Sequence, residues 1–200
     1  MNKSLNNNEK KEIIAKRRDI DSKIIENQFF AEKILYATKL FFEYAKTNLN
    51  KTQISETSYF NFLSILELES IKEKGAFFAN QKIVKTENGL IPSKIFDFIK
   101  GLEINNNGKR LPLHISQIIR EDNVNKTFLS FNDQFVVFDD FLSNFDKDLI
   151  NKVAKTVLQD SNKFIKNYLA WKNAKINQQI NIFDELNDEQ RKMEMEIIYN

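Results

Sequence analysis

The chain has 200 residues, 42% hydrophobic and 12% aromatic, which is enough apolar material for one domain with a substantial core. Thirty basic residues nearly balance twenty-eight acidic ones, and a net charge of +2 gives no overall field to draw the protein onto nucleic acid or an anionic membrane. Cysteine is absent, which excludes disulfides and thiolate metal sites.

No apolar run approaches the roughly 20 residues that a membrane-spanning helix needs. The start of the chain, Met1 to Asn8, has no apolar signal core. Both features lead to the expectation of a cytoplasmic protein with no membrane partner.

Residues 1 to 25 carry seven basic and four acidic side chains, a net +3, around Ile13, Ile14, Ile20, Ile24 and Ile25. That spacing predicts a partly helical, charged N-terminal extension over 1–28. Residues 29–47 predict a helix with Ile34, Thr38, Phe41 and Ala45 on one face, widened by Leu35 and Phe42. Asn48 to Asn50 ends it, and Ser55 or Thr57 caps the next helix. Residues 58–74 are apolar on nearly every side, as in an element buried at the centre of a domain, and Gly75 closes this helix.

A short strand is expected at 82–85, followed by the turn signal Asn88-Gly89. Pro92-Ser93 opens another helix, which closes at Gly101, and a loop covers 103–110. Residues 113–121 read as a short helix. Residues 127–138 read as two strands around an Asn132-Asp133 turn. Leu149, Val153 and Val157, with Ile150, Ala154 and Leu158, mark a late helix. A further helix is expected over 163–175, with Phe164, Tyr168 and Trp171 on one side. The last 20 residues hold six acidic and two basic side chains, a net −4, and predict an acidic helical tail over 176–200. The fold class is therefore mainly α with some β (α+β): a compact helical domain over 29–175 with a small antiparallel β-hairpin.

The residues point to binding rather than catalysis. His114 is the sole histidine, too few for a usual zinc site of three or four N or S ligands. No glycine-rich phosphate loop occurs. Asp139-Asp140 could hold a hard cation, but capping of the following helix is the simpler reading. Glu67, on the apolar helix, needs a structural partner if it is buried. Lys16-Arg17-Arg18 reads as a solvated helix face. Neither an enzyme activity nor a cofactor is expected.

Several stretches in order carry a resemblance. Phe62-Leu63-Ser64-Ile65-Leu66-Glu67 leads to Gly75. Gly89-Leu90-Ile91-Pro92-Ser93-Lys94-Ile95-Phe96-Asp97 follows. Phe141-Leu142-Ser143 precedes the late helix, and Ala170-Trp171-Lys172 comes last. Over about residues 31 to 174 this resembles the Panacea domain antitoxin family, which includes SocA-like and GepA-like phage-associated proteins. Glu67 and Gly75 match its helix motif, in which Asp is usual at the Glu67 position. Gly89, Pro92 and Phe96 match its G-P-V-P-S-x-x-Y-D turn, with Leu90 in place of the first Pro. Trp171 matches its terminal motif.

The resemblance implies an antitoxin of a toxin–antitoxin system that neutralises a cognate protein toxin by direct binding. One class of such toxins is a toxic small alarmone synthetase-like enzyme. Delivery of the toxin to a protease and DNA-binding regulation of a mobile element are the alternatives, and a homodimer is a further arrangement to test. The two ends are the expected contact segments, with Phe183, Leu186, Met193 and Ile197 as an anchoring stripe on the toxin.

Overall fold

The structure is a computed structural model that describes residues 32–93, 95, 113–119, 125–132 and 142–186; for 113–119 the description is of the backbone. Lys16-Arg17-Arg18, Phe96, the Asp139-Asp140 pair, Met193 and Ile197 lie outside the described residues.

Helix α1 spans 32–49. Ile34, Ala37, Thr38, Phe41, Phe42 and Ala45 are buried along one face, the stripe expected from the periodicity. Asn50 then takes a positive φ of 52° and ends the helix. Strand β1 (Ile54–Ser55) leads directly into α2 (Glu56–Lys74). The Ser55 hydroxyl accepts from Ser58 N at 3.2 Å, so Ser55 is the cap. Gly75, at φ 64°, returns its N–H to Ile71 O at 2.8 Å, the left-handed stop that a glycine makes without a Cβ clash.

From Tyr59 to Ile71 every residue of α2 is buried. Neighbours surround it: α1 supplies Phe41, whose ring stacks on Phe62 with centroids 4.1 Å apart. Strand β2 (Ile83–Thr86) and strand β3 (Gly89–Pro92) form a hairpin across a Glu87-Asn88 turn, with Gly89 opposite Thr86. Strands β4 (Leu113–Ile119) and β5 (Asn125–Phe131) pair antiparallel, and β1 adds Ile54 and Ser55 opposite Leu129 and Phe128 of β5. Helix α3 (Asn144–Ile165) packs along α2, with Leu149, Ile150, Val153, Ala154 and Val157 buried. The short helix α4 (Leu169–Asn173) and a 3-10 turn (Ile182–Glu185) complete the packing.

The architecture is mainly helical with small antiparallel sheets, as the composition and periodicity predict. Four local expectations are corrected. Residues 113–119 are a strand rather than a helix. Isoleucine-rich segments this short fit either state, and pairing with β5 along all seven residues decides the matter. The partner of β5 is therefore β4; the expected second strand at 134–138 lies outside the described residues. The helix expected over 163–175 is interrupted. Asp160 inside α3 has φ −162° and ψ 84°, and a turn at Lys166 to Tyr168 separates α3 from α4. The α3 cap is Ser143, which makes a reciprocal capping box with Asp146, and not Asp139 or Asp140.

The fourth correction concerns the tail. Residues 176–186 do not stand apart from the domain. Asn177 N donates to Lys85 O at 2.7 Å, Lys85 N to Gln178 O at 2.9 Å, and Ile180 N to Ile83 O at 2.9 Å, so this segment lies antiparallel against β2. Ile180, Ile182 and Phe183 are buried in the core. Among the described residues no helix is long and apolar enough to cross a membrane.

Because the Phe41–Phe62 stack sits where α1 meets α2, Phe62→Ala is expected to lower unfolding free energy by about 3–5 kcal/mol. Urea unfolding followed by far-UV circular dichroism measures it; a loss under about 1 kcal/mol would mean that this contact is not central.

Candidate functional site

Buried polar side chains need hydrogen-bond partners, and on α2 Asn61, Glu67, Glu69 and Ser70 find theirs in the elements around them. Asn61 is fully buried. Its Oδ1 accepts from Leu90 N at 2.9 Å and its Nδ2 donates to Ser161 Oγ at 3.2 Å, joining β3 to α3 through α2. Gly89 lies against the same amide at φ 145°. A Cβ there would sit 2.3 Å from Asn61 Oδ1. The glycine is thus required twice, by its backbone angle and by the close approach. Pro92 is buried, and Ser93 just beyond it is helical, with its N–H bonded to Lys82 O at 2.9 Å.

Glu67 is buried, at 1% exposure. Its two oxygens accept from Ala79 N at 2.9 Å and Asn80 N at 3.0 Å, so it organises the loop 76–81 that follows the Gly75 cap. Burial pushes its carboxyl up to about 7 despite the backbone N–H groups that favour the charged form. The sequence reading expected a structural partner, and the partner is the backbone of one loop.

Glu69, also buried, behaves in the opposite way. It accepts from Tyr168 OH at 2.7 Å and from Lys152 Nζ at 2.8 Å, with Lys72 at 3.9 Å. Burial raises its pKa, but the Lys152 and Tyr168 hydrogen bonds outweigh that effect and hold the carboxyl below its ordinary range. Burial, reinforced by the facing Glu69 charge, raises the Tyr168 hydroxyl. This network ties α2 to α3 and to the start of α4, and periodicity gave no signal of it.

Trp171, placed by the sequence in the terminal motif, is clasped by β2. Lys85 Nζ lies 4.4 Å from the centre of its ring and donates to Trp171 O at 2.8 Å and Ala174 O at 2.9 Å. One ammonium thus caps the C-terminal carbonyls of α4 and makes a cation–π contact. At the other end of α4, Glu185 accepts from Ala170 N at 2.8 Å.

Of the motif residues, Glu67, Gly75 and Gly89 sit at joints of α2, Pro92 pairs with Ile83 across the β2–β3 hairpin, and Trp171 joins α4 to β2. Of the expected anchoring stripe, only Phe183 and Leu186 are among the described residues. Phe183 is 9% exposed and meets Phe77 edge-on at 5.7 Å, and Leu186 packs partly buried against the same core. As anchors for a toxin these two are corrected: their apolar surface is already used inside the domain. His114 lies in β4 opposite Ser130.

A groove of about 230 Å³ opens between α1 and the end of β5, with Phe42 and Phe131 as its apolar lining and Lys39, Lys46, Thr52 and Ser130 among its polar lining. Lys39 also pairs with Glu43 at 3.8 Å. Sequence reasoning missed this groove, because its sides come from α1 and β5, nearly 90 residues apart.

No family model, curated protein or solved structure matches this chain.

Two outcomes follow from these joints. Asn61→Ala leaves Leu90 N–H buried without its acceptor and is expected to cost about 1–3 kcal/mol. Gly89→Ala should cost at least as much, through clash and backbone strain. In the double variant the clash is gone, so the two losses should sum to more than the measured total; strict additivity in urea unfolding would remove the close approach as the cause. Separately, Lys85→Met should lower stability by about 1–3 kcal/mol and red-shift the emission of the protein's single tryptophan. Unchanged emission would mean that the Lys85–Trp171 clasp is absent in solution.

Proposed function

We propose that this chain is a cytoplasmic antitoxin of the Panacea type, which neutralises a cognate protein toxin by direct contact. One observation carries the reading. The described residues that gave the resemblance mark joints between elements: α2 stopped by Gly75, Gly89 of β3 pressed against Asn61, and Trp171 of α4 clasped by Lys85 of β2. Residues that set the relative placement of neighbouring elements suit a platform that presents a fixed shape to a partner.

Leu90 departs from the family turn in a way that fits this chain. Proline has no N–H, so a proline at that position could not donate to Asn61, whereas Leu90 does so at 2.9 Å.

Burial of Phe183, and partial burial of Leu186, moves the expected contact region outward. The segment after Leu186, with Met193 and Ile197, remains the proposed contact at the C-terminal side, and the basic residues 9–25 at the other.

The test is co-expression with the product of the neighbouring reading frame. Growth arrest by that product alone, and rescue by this chain with a purified complex, are the expected results. A chain ending at Leu186 should keep its thermal unfolding transition and lose rescue. Full rescue by that truncation would exclude the C-terminal segment. Accelerated turnover of the toxin without a stable complex would favour the protease-adaptor reading instead. No toxicity from the neighbour, with or without this chain, would overturn the proposal.

A further inference from the structure

We propose that Glu67 is a latch whose protonation governs opening of the loop 76–81, and with it the seat shared by the start of α1 and the 3-10 turn. The inference does not depend on the identity of any partner.

The geometry has three parts. First, the carboxylate is inside the domain and its hydrogen-bond partners belong to one loop, Ala79 N at 2.9 Å and Asn80 N at 3.0 Å. Second, that loop touches both ends of the described chain. Lys33 Nζ of α1 donates to Phe78 O at 3.3 Å and lies 5.2 Å from the centre of its ring, while Phe77 meets Phe183 of the 3-10 turn. Third, the loop carries features that favour opening. Asn80 holds a positive φ of 50°. Gln81 is buried at 3% exposure, and its Oε1 has no hydrogen-bond partner among the described residues. Opening returns that acceptor to water.

The charged groups on the surrounding elements have partners of their own. On α1, Lys33 is bonded to Phe78 O. On α2, Glu69 is tied to Lys152 of α3 and to Tyr168, and Lys74 is tied to Asp146 of α3 at 2.8 Å. Lys85 of β2 is bonded to Trp171 O and Ala174 O. Glu185 of the 3-10 turn is bonded to Ala170 N. Burial and the loop's own N–H groups therefore dominate the environment of Glu67.

The direction follows from linkage. In the closed loop the carboxyl titrates at about 7, and in an open, hydrated loop at its ordinary 4.5. The closed form binds the proton more tightly, so closure is strongest below pH 4.5 and weakens as pH rises to 7. Above 7 the loss is complete and levels off. Each pKa unit is a factor of ten in the closing equilibrium, so the full change is roughly a hundredfold or somewhat more.

Hydrogen exchange of the full chain between pH 5 and pH 7.5 tests this, with each rate corrected for intrinsic exchange. The amides of 76–81 are expected to open roughly a hundredfold more often at the higher pH. Peptides from the middle of α3 should not follow. Glu67→Gln cannot ionise and should flatten the dependence. A flat wild-type profile, or an unchanged slope in Glu67→Gln, overturns the latch. Should that variant fail to fold, the carboxyl carbon of Glu67 in the wild-type protein can be titrated by NMR. A midpoint near neutrality supports the proposal, and one near the ordinary glutamate value refutes it.

Discussion

Burial of α2 on every side is the constraint on which the rest of the structure depends. Thirteen consecutive residues, Tyr59 to Ile71, are removed from water, and they include Asn61, Ser64, Glu67, Glu69 and Ser70. A buried polar group without a partner costs about 1–3 kcal/mol, so such a helix is tolerable only if its neighbours come to it. For Asn61, Glu67 and Glu69 they do: Leu90, Ser161, Ala79, Asn80, Tyr168 and Lys152 bring β3, α3, the loop after α2, the turn before α4 and α3 again to defined points on the helix, whereas Ser64 Oγ has no hydrogen-bond partner among the described residues. Ser70 in turn donates to Ala76 O at 2.8 Å, bending the chain back just after the Gly75 stop. Apolar packing provides the cohesion of this core, and its polar residues specify which element lies where.

The two buried glutamates show how much depends on the partner's charge. Glu69 faces an ammonium and a phenol and stays ionised; Glu67, two residues earlier, faces backbone N–H groups alone and is pushed toward neutrality. Successive side chains on a helix point about 100° apart, so positions 67 and 69 look in nearly opposite directions. One fixes a rigid helix–helix contact, and the other meets a loop.

Closure of the chain is the second organising feature. Residues 177–180 return alongside β2, and Lys85 reaches from that strand to the end of α4. Such a contact joins residues almost 90 positions apart, beyond the reach of local periodicity. For the same reason the segment after Lys175 reads as a detachable acidic tail by composition, although its first eleven residues return to the domain and bury Ile180, Ile182, Phe183 and Glu185 there. Six acids in the last 20 residues suggest a solvated segment, yet Glu185 is buried because Ala170 N needs an acceptor there. Much of the candidate site was legible as residue types: Glu67, Gly75, Gly89, Pro92 and Trp171 stand out by composition and spacing. Asn61 beside Gly89 and Lys85 beside Trp171 did not, since nothing local marks an asparagine or a lysine whose counterpart is distant in the chain.

The amino-acid sequence alone determined the helices with strong periodicity, the Gly75 end of α2 and its central burial, and it narrowed the cap of α2 to Ser55 or Thr57, of which the structure takes Ser55. Each of these rests on local physics: side-chain spacing at 3.6 residues per turn, a hydroxyl that satisfies free N–H groups, and a glycine that accepts a left-handed angle. Tertiary structure decided the rest. It made 113–119 a strand, because an isoleucine-rich heptapeptide adopts the state that its partner offers. It broke the helix expected over 163–175, where Tyr168 turns its hydroxyl to Glu69 before α4 begins. It drew Phe183 inward to Phe77, so an apolar residue that looked free to bind a partner had already found its contact within the domain.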